Sequence, residues 1–79
     1  MIEWYELTLA AGGALVSNPH DPSVTEHLSL IRGVVEVEVD GTKKKFKIGG
    51  TARYEEDKPY AIRNVDKTES RALMVGVHR

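Results

Sequence analysis

Cysteine is absent from the 79 residues, which excludes a disulfide framework and any thiolate metal site. The core must therefore hold by packing alone. No apolar run approaches the length of a membrane span, and the N-terminus lacks the basic-then-apolar pattern of a secretory leader, so a cytoplasmic location away from membranes is expected. Basic excess is lacking too: 11 Lys and Arg face 12 Asp and Glu. That near-balance argues against a surface that grips nucleic acid directly. A chain this short makes one domain, residues 1–79, with no second core. It buries only about 60–65% of the surface its unfolded form exposes, so a closed architecture, a ligand or self-association is expected to support it.

Helical periodicity is the last absence, and two-residue alternation takes its place. Tyr5, Leu7 and Leu9 share one face of the first run, with Trp4 on the other, and Gly12-Gly13 ends it. Pro19 and Pro22 mark a loop from Asn18 to Ser23, since neither can donate to a ladder. Alternation resumes from Glu26 to Ile31 and stops at the turn signal Arg32-Gly33.

From Val34 to Ile48 the pattern is clearest. Val35, Val37 and Val39 alternate with Glu36 and Glu38 up to Asp40-Gly41, which predicts a type I′ hairpin. The register that follows sets Glu38 opposite Lys43, Glu36 opposite Lys45 and Val35 opposite Phe46. Each charge pair is worth about 0.2–1 kcal/mol at most. Gly49-Gly50 precedes a short strand from Thr51 to Tyr54, the polar run from Glu55 to Pro59 reads as a loop, and Tyr60 to Asn64 forms another strand. Leu73, Val75 and Val77 alternate through the last one. About eight short strands in so short a chain point to an all-β closed barrel or jelly roll.

Two stretches carry a resemblance. His20, Glu26 and Gly33, with Pro22 between the first two, resemble the first motif of the cupins, in which Pro22 stands where a second His is usual. Gly49-Gly50, Pro59-Tyr60 and Asn64 resemble the second motif, with Tyr60 in place of its His. The wording "YELTLAAGG", "PHDPSVTEHLSLIRGVVEVEVDG", "ARYEEDKPYAIRN" and "SRALMVGVH" is similar to the C-terminal sensor domain of bacterial helix-turn-helix regulators of the XRE type. The resemblance implies a small cupin-type jelly-roll β-barrel that senses a small effector and supports dimerisation. DNA is then read by a helix-turn-helix domain upstream. No such segment lies in these residues, so the resemblance implies either the C-terminal part of a longer regulator or a stand-alone relative.

The resemblance implies a metal set of three His and one Glu, of which His20 and Glu26 remain. Proline offers no ligand atom, and a phenol with a pKa near 10 replaces imidazole poorly. His27 follows Glu26 directly and faces the other way in a strand. No resident metal or other cofactor is expected, and no catalysis, since cupin chemistry usually borrows the metal. The expected function is effector binding by His20, Glu26, Tyr60 and Arg53 at the open end of the barrel. The alternative is a stand-alone small cupin with metal-dependent activity. Lys43, Lys44, Lys45 and Lys47 split between two faces and read as a solvated strand, with the stem of Lys44 covering apolar surface. Ile2 and Trp4 form an outward apolar patch, which suggests a homodimer or a docking surface for the DNA-binding domain.

Overall fold

Alternation along the chain becomes eight antiparallel strands in the computed structural model, which describes residues 1–17, 24–55 and 58–78. The strands are β1 (Ile2–Leu9), β2 (Ala14–Ser17), β3 (Val24–Arg32), β4 (Val35–Val39), β5 (Thr42–Phe46), β6 (Thr51–Glu55), β7 (Tyr60–Asn64) and β8 (Ser70–His78). They form two four-stranded sheets, ordered β1-β8-β3-β6 and β2-β7-β4-β5. The inner faces meet as a jelly roll, an all-β solution that suits a chain with period-two patterning and frequent turns.

The hairpin of β4 and β5 forms because Asp40 and Gly41 both take positive φ, 49° and 85°, as a type I′ turn requires. Register follows from the turn: Glu38 pairs with Lys43, Glu36 with Lys45 and Val35 with Phe46. β2 is the strand that the sequence pattern leaves unmarked. Its four residues are too short for a legible alternation, and it exists by pairing with β7, Leu15 opposite Ile62. β3 carries an irregularity between Leu30 and Arg32, which leaves Ile31 half exposed instead of packed.

Inward positions of both sheets supply the core. Leu28, Ile62, Met74 and Val35 are essentially fully buried, each contributing about 1.5–3 kcal/mol of transfer free energy. One end of the barrel is fastened by a buried amide. Asn64 Nδ2 donates to the carbonyls of Leu9 at 2.9 Å, Ala10 at 3.0 Å and Thr68 at 2.9 Å. Its Oδ1 accepts from the Asp66 amide at 2.9 Å and from Ser70 Oγ at 2.8 Å. The Asn64 backbone amide donates to the Gly13 carbonyl at 2.8 Å. Gly33 sits over this knot with φ 87°, and a Cβ there would overlap the Ser70 hydroxyl. Only glycine meets both demands.

Asn64→Ala strips acceptors and donors from several buried groups at once and is expected to cost about 3 kcal/mol. Urea denaturation followed by tryptophan fluorescence checks it: the midpoint falls with little change in slope. Thr8→Ala on the exposed face is the control, expected within about 0.5 kcal/mol of the unaltered chain.

Candidate functional site

β7 begins at Tyr60 and ends at Asn64, so Tyr60 marks the end of the barrel opposite the knot. Period two brings further inward residues to that level. Glu26 on β3 pairs with Tyr54 of β6 and with Gly76 of β8. Tyr5 lies inward on β1, beside Met74. The Tyr5 hydroxyl donates to Glu26 Oε1 at 3.2 Å, and Glu26 is only 5% exposed. Gly76 makes room for this carboxylate: a Cβ at that position would lie 3.3 Å from Oε1. Tyr54 and Tyr60 pack ring against ring, centroids 4.6 Å apart and tilted by 44°, an arrangement that favours aromatic pairs. Among the described residues, three phenols and one carboxylate thus lie toward this end of the barrel.

Around the side of the barrel the two sheets part. β5 and β6 are edge strands of different sheets, and a cavity of about 270 Å³ opens between them. Val37, Val39, Phe46 and Ala52 wall it, with the buried Tyr54 behind. Its exposed outer border carries Thr42, Lys44, Thr51 and Arg53. Lys44 is an inward position by register, opposite Val37. A cleft of about 460 Å³ adjoins it, sharing Val39, Arg53 and Tyr54 and adding Glu55 and Lys58. The Glu55 carboxylate accepts from Thr25 Oγ1 at 3.0 Å. A separate groove of about 180 Å³ lies against Val16, Pro59, Tyr60 and Ala61. Its cation, Arg63, is held by Glu38 at 2.8 Å and Glu36 at 3.9 Å.

The structure brings Glu26 and Tyr60 to the same end of the interior and places Arg53 on the border of the side cavity. Arg53 pairs with the outward His27, yet as an edge residue it still reaches the cavity border. His20 and Pro22 lie outside the described residues. Ile2 and Trp4 are 58% and 67% exposed and stand beside Val77 and Val75 on the outer face of the β1-β8-β3-β6 sheet. Tyr5, Tyr54 and Gly76 escaped sequence reasoning as site residues. Alternation marks Tyr5 as inward, but only register shows that Glu26 is its partner.

Among the described residues, no group of three or more His, Cys, Asp or Glu side chains is placed to hold a metal ion. The position of a cupin metal ligand on β7 is taken by Tyr60, whose ring packs on Tyr54, and Glu26 already accepts from Tyr5. These residues do not assemble the nitrogen-rich set that a cupin metal needs. No helix of the described residues is long and apolar enough to cross a membrane.

No protein-family profile and no curated protein matches the chain. Solved structures do. The cupin_2 domain of an XRE-family transcriptional regulator from Enterobacter cloacae superimposes with a TM-score of 0.92 at 27% identity, over 99% of this chain and 82% of that one. An HTH_3-family transcriptional regulator from Vibrio cholerae gives 0.91 at 22% identity, over 99% of this chain but 43% of its own. A predicted oxalate decarboxylase from Thermotoga maritima gives 0.84 at 16% identity, over 96% of this chain and 65% of that one. With two antiparallel four-stranded sheets, no helix among the described residues and these neighbours, the chain has the cupin β-barrel fold and is similar to the cupin_2 domain of an XRE-family transcriptional regulator.

Proposed function

We propose that this cupin barrel is the effector-sensing domain of a bacterial transcriptional regulator, cytoplasmic and not an enzyme. A small molecule enters between β5 and β6, past Arg53, and reaches toward Tyr60 and Glu26. Its occupancy is relayed to a helix-turn-helix domain outside these residues, which alone touches DNA. His20 belongs to this site on its sequence position.

The observation that carries the reading is the side cavity, with aliphatic and aromatic walls inside and a few polar groups at its border. That is the composition of a small-molecule site. Likeness to the Enterobacter cloacae regulator domain supports the regulatory role. The same donors argue against a resident metal and against metal-borne catalysis. Arginine and tyrosine around a packed carboxylate hold a guest by hydrogen bonds.

The outer face around Ile2 and Trp4 is the proposed dimer contact. Trp4 lies beside Val75 and Ile2 beside Val77, with Leu73 two residues along on the same face. Apolar side chains grouped in this way on a strand face mark partner surfaces. Dimerisation gives the relay a second state to act on, since an effector shifts an equilibrium only by binding its two forms unequally.

A thermal-shift screen of metabolites is expected to yield ligands that stabilise the chain. A ligand at about 100 times its Kd adds about 2.7 kcal/mol, or about 11–22 °C in a domain of this size. Ala52→Phe, which fills the cavity, should abolish the shift, and Tyr60→Ala or Arg53→Ala should reduce it. A shift retained in Ala52→Phe places the ligand elsewhere. The purified chain should carry only substoichiometric metal by elemental analysis; one equivalent per chain favours the metal-dependent enzyme instead. Light scattering should find a dimer that Trp4→Glu converts to a monomer, and a monomer before substitution removes the dimer from the proposal.

A further inference from the structure

Charge is not spread evenly over the cations of this chain. Lys43 and Lys45 face Glu38 and Glu36 across the hairpin. Arg63 is held by the same two glutamates. Arg71 pairs with Glu69 at 2.8 Å and Glu6 at 3.8 Å, and these carboxylates raise its pKa above the usual value for arginine. Lys44 and Arg53 are the two cations that border the cavity between β5 and β6, and neither makes an ion pair among the described residues.

Their positions are specific. Lys44 is the one lysine of β5 at an inward register, opposite Val37, where a β-sandwich ordinarily puts an apolar side chain. Arg53 sits on the facing edge strand, opposite His27, so no carboxylate stands across the ladder from it. No Asp or Glu lines this cavity, and Glu55 of the adjoining cleft accepts from Thr25. Two cations on a concave, apolar-walled site raise the local concentration of anions. Thr42 and Thr51 add hydroxyls at the same border, able to donate to a carboxylate. Inside, Val37, Val39, Phe46 and Ala52 offer nothing to a sugar or a second charge. At about 270 Å³, the space falls below the roughly 300–1,000 Å³ of sites for drug-sized molecules.

Resting on the effector-binding reading above, we infer that the effector class is a small organic anion: a monocarboxylate with a compact apolar body. The body lies against Phe46, Ala52 and Tyr54, and the carboxylate stays at the border with Lys44 and Arg53. Guanidinium and ammonium serve it differently. Arginine can hold both oxygens in a fork, while lysine acts as a point charge.

The test is a matched series of probes, phenylacetate, phenylacetamide and phenethylamine, titrated into the full chain and followed by amide nitrogen–proton NMR spectra. Phenylacetate is expected to shift the amides of β5 and β6 and to bind at least about tenfold more tightly than phenylacetamide, with phenethylamine silent; tenfold corresponds to about 1.4 kcal/mol. The double variant Lys44→Gln, Arg53→Gln should remove that tenfold difference. The advantage of phenylacetate should also shrink between about 0.05 and about 0.5 M salt. Equal binding of phenylacetate and phenylacetamide at β5 and β6 overturns the anion and leaves the effector-binding reading standing. So does stronger binding of phenethylamine. Shifts confined to other strands, or absence of shifts for all three probes, overturn the anion as well. The effector-binding reading itself then falls only if the metabolite screen also finds no ligand that Ala52→Phe displaces.

Discussion

The barrel depends on a single buried amide. Asn64 is 3% exposed and ties the last residue of β7 to the end of β1, to the turn before β8 and to Ser70 at the start of β8. A group of this kind is costly to bury and stable only when its donors and its acceptor are all satisfied. Meeting that condition fixes where four pieces of chain converge. It also explains why Gly33 can be nothing else, since the hydroxyl of Ser70 occupies the volume a side chain would need. With one end secured by polar contacts, the other end of β7 is free to carry chemistry.

At that other end the described residues present phenols and one carboxylate. A nitrogen-ligated ion needs several imidazoles held at similar distances from one point. Here the Tyr5 phenol donates to the Glu26 carboxylate, Tyr54 stands opposite Glu26 on the neighbouring strand, and the rings of Tyr54 and Tyr60 pack on each other. Phenols both donate and accept, and their faces are apolar. Such a lining offers hydrogen-bonding groups set among apolar ring faces.

Much of the architecture was legible because period two is a local signal. Tyr5, Leu7 and Leu9 point inward, Trp4 outward, and the Asp40-Gly41 hairpin sets its own register, which carries Lys44 to the inner face. β2 was not legible, since four residues without strict alternation become a strand only through β7. The partnership of Tyr5 and Glu26 was hidden for the same reason: 21 residues separate them, and β8 lies between their strands. Arg53 was ambiguous on paper, and its place on an edge strand explains why. Alternation assigns it to the outer face, while the missing neighbour lets it border the cavity.

The two strands that flank the side cavity share no ladder. β5 is bonded only to β4, and β6 only to β3. Among the described residues, widening the gap between them therefore breaks no ladder bond of either sheet. A seam of this sort can breathe on its own while the remaining ladders stay intact. Opening of this cavity is then a local event, decoupled from the stability of the barrel as a whole.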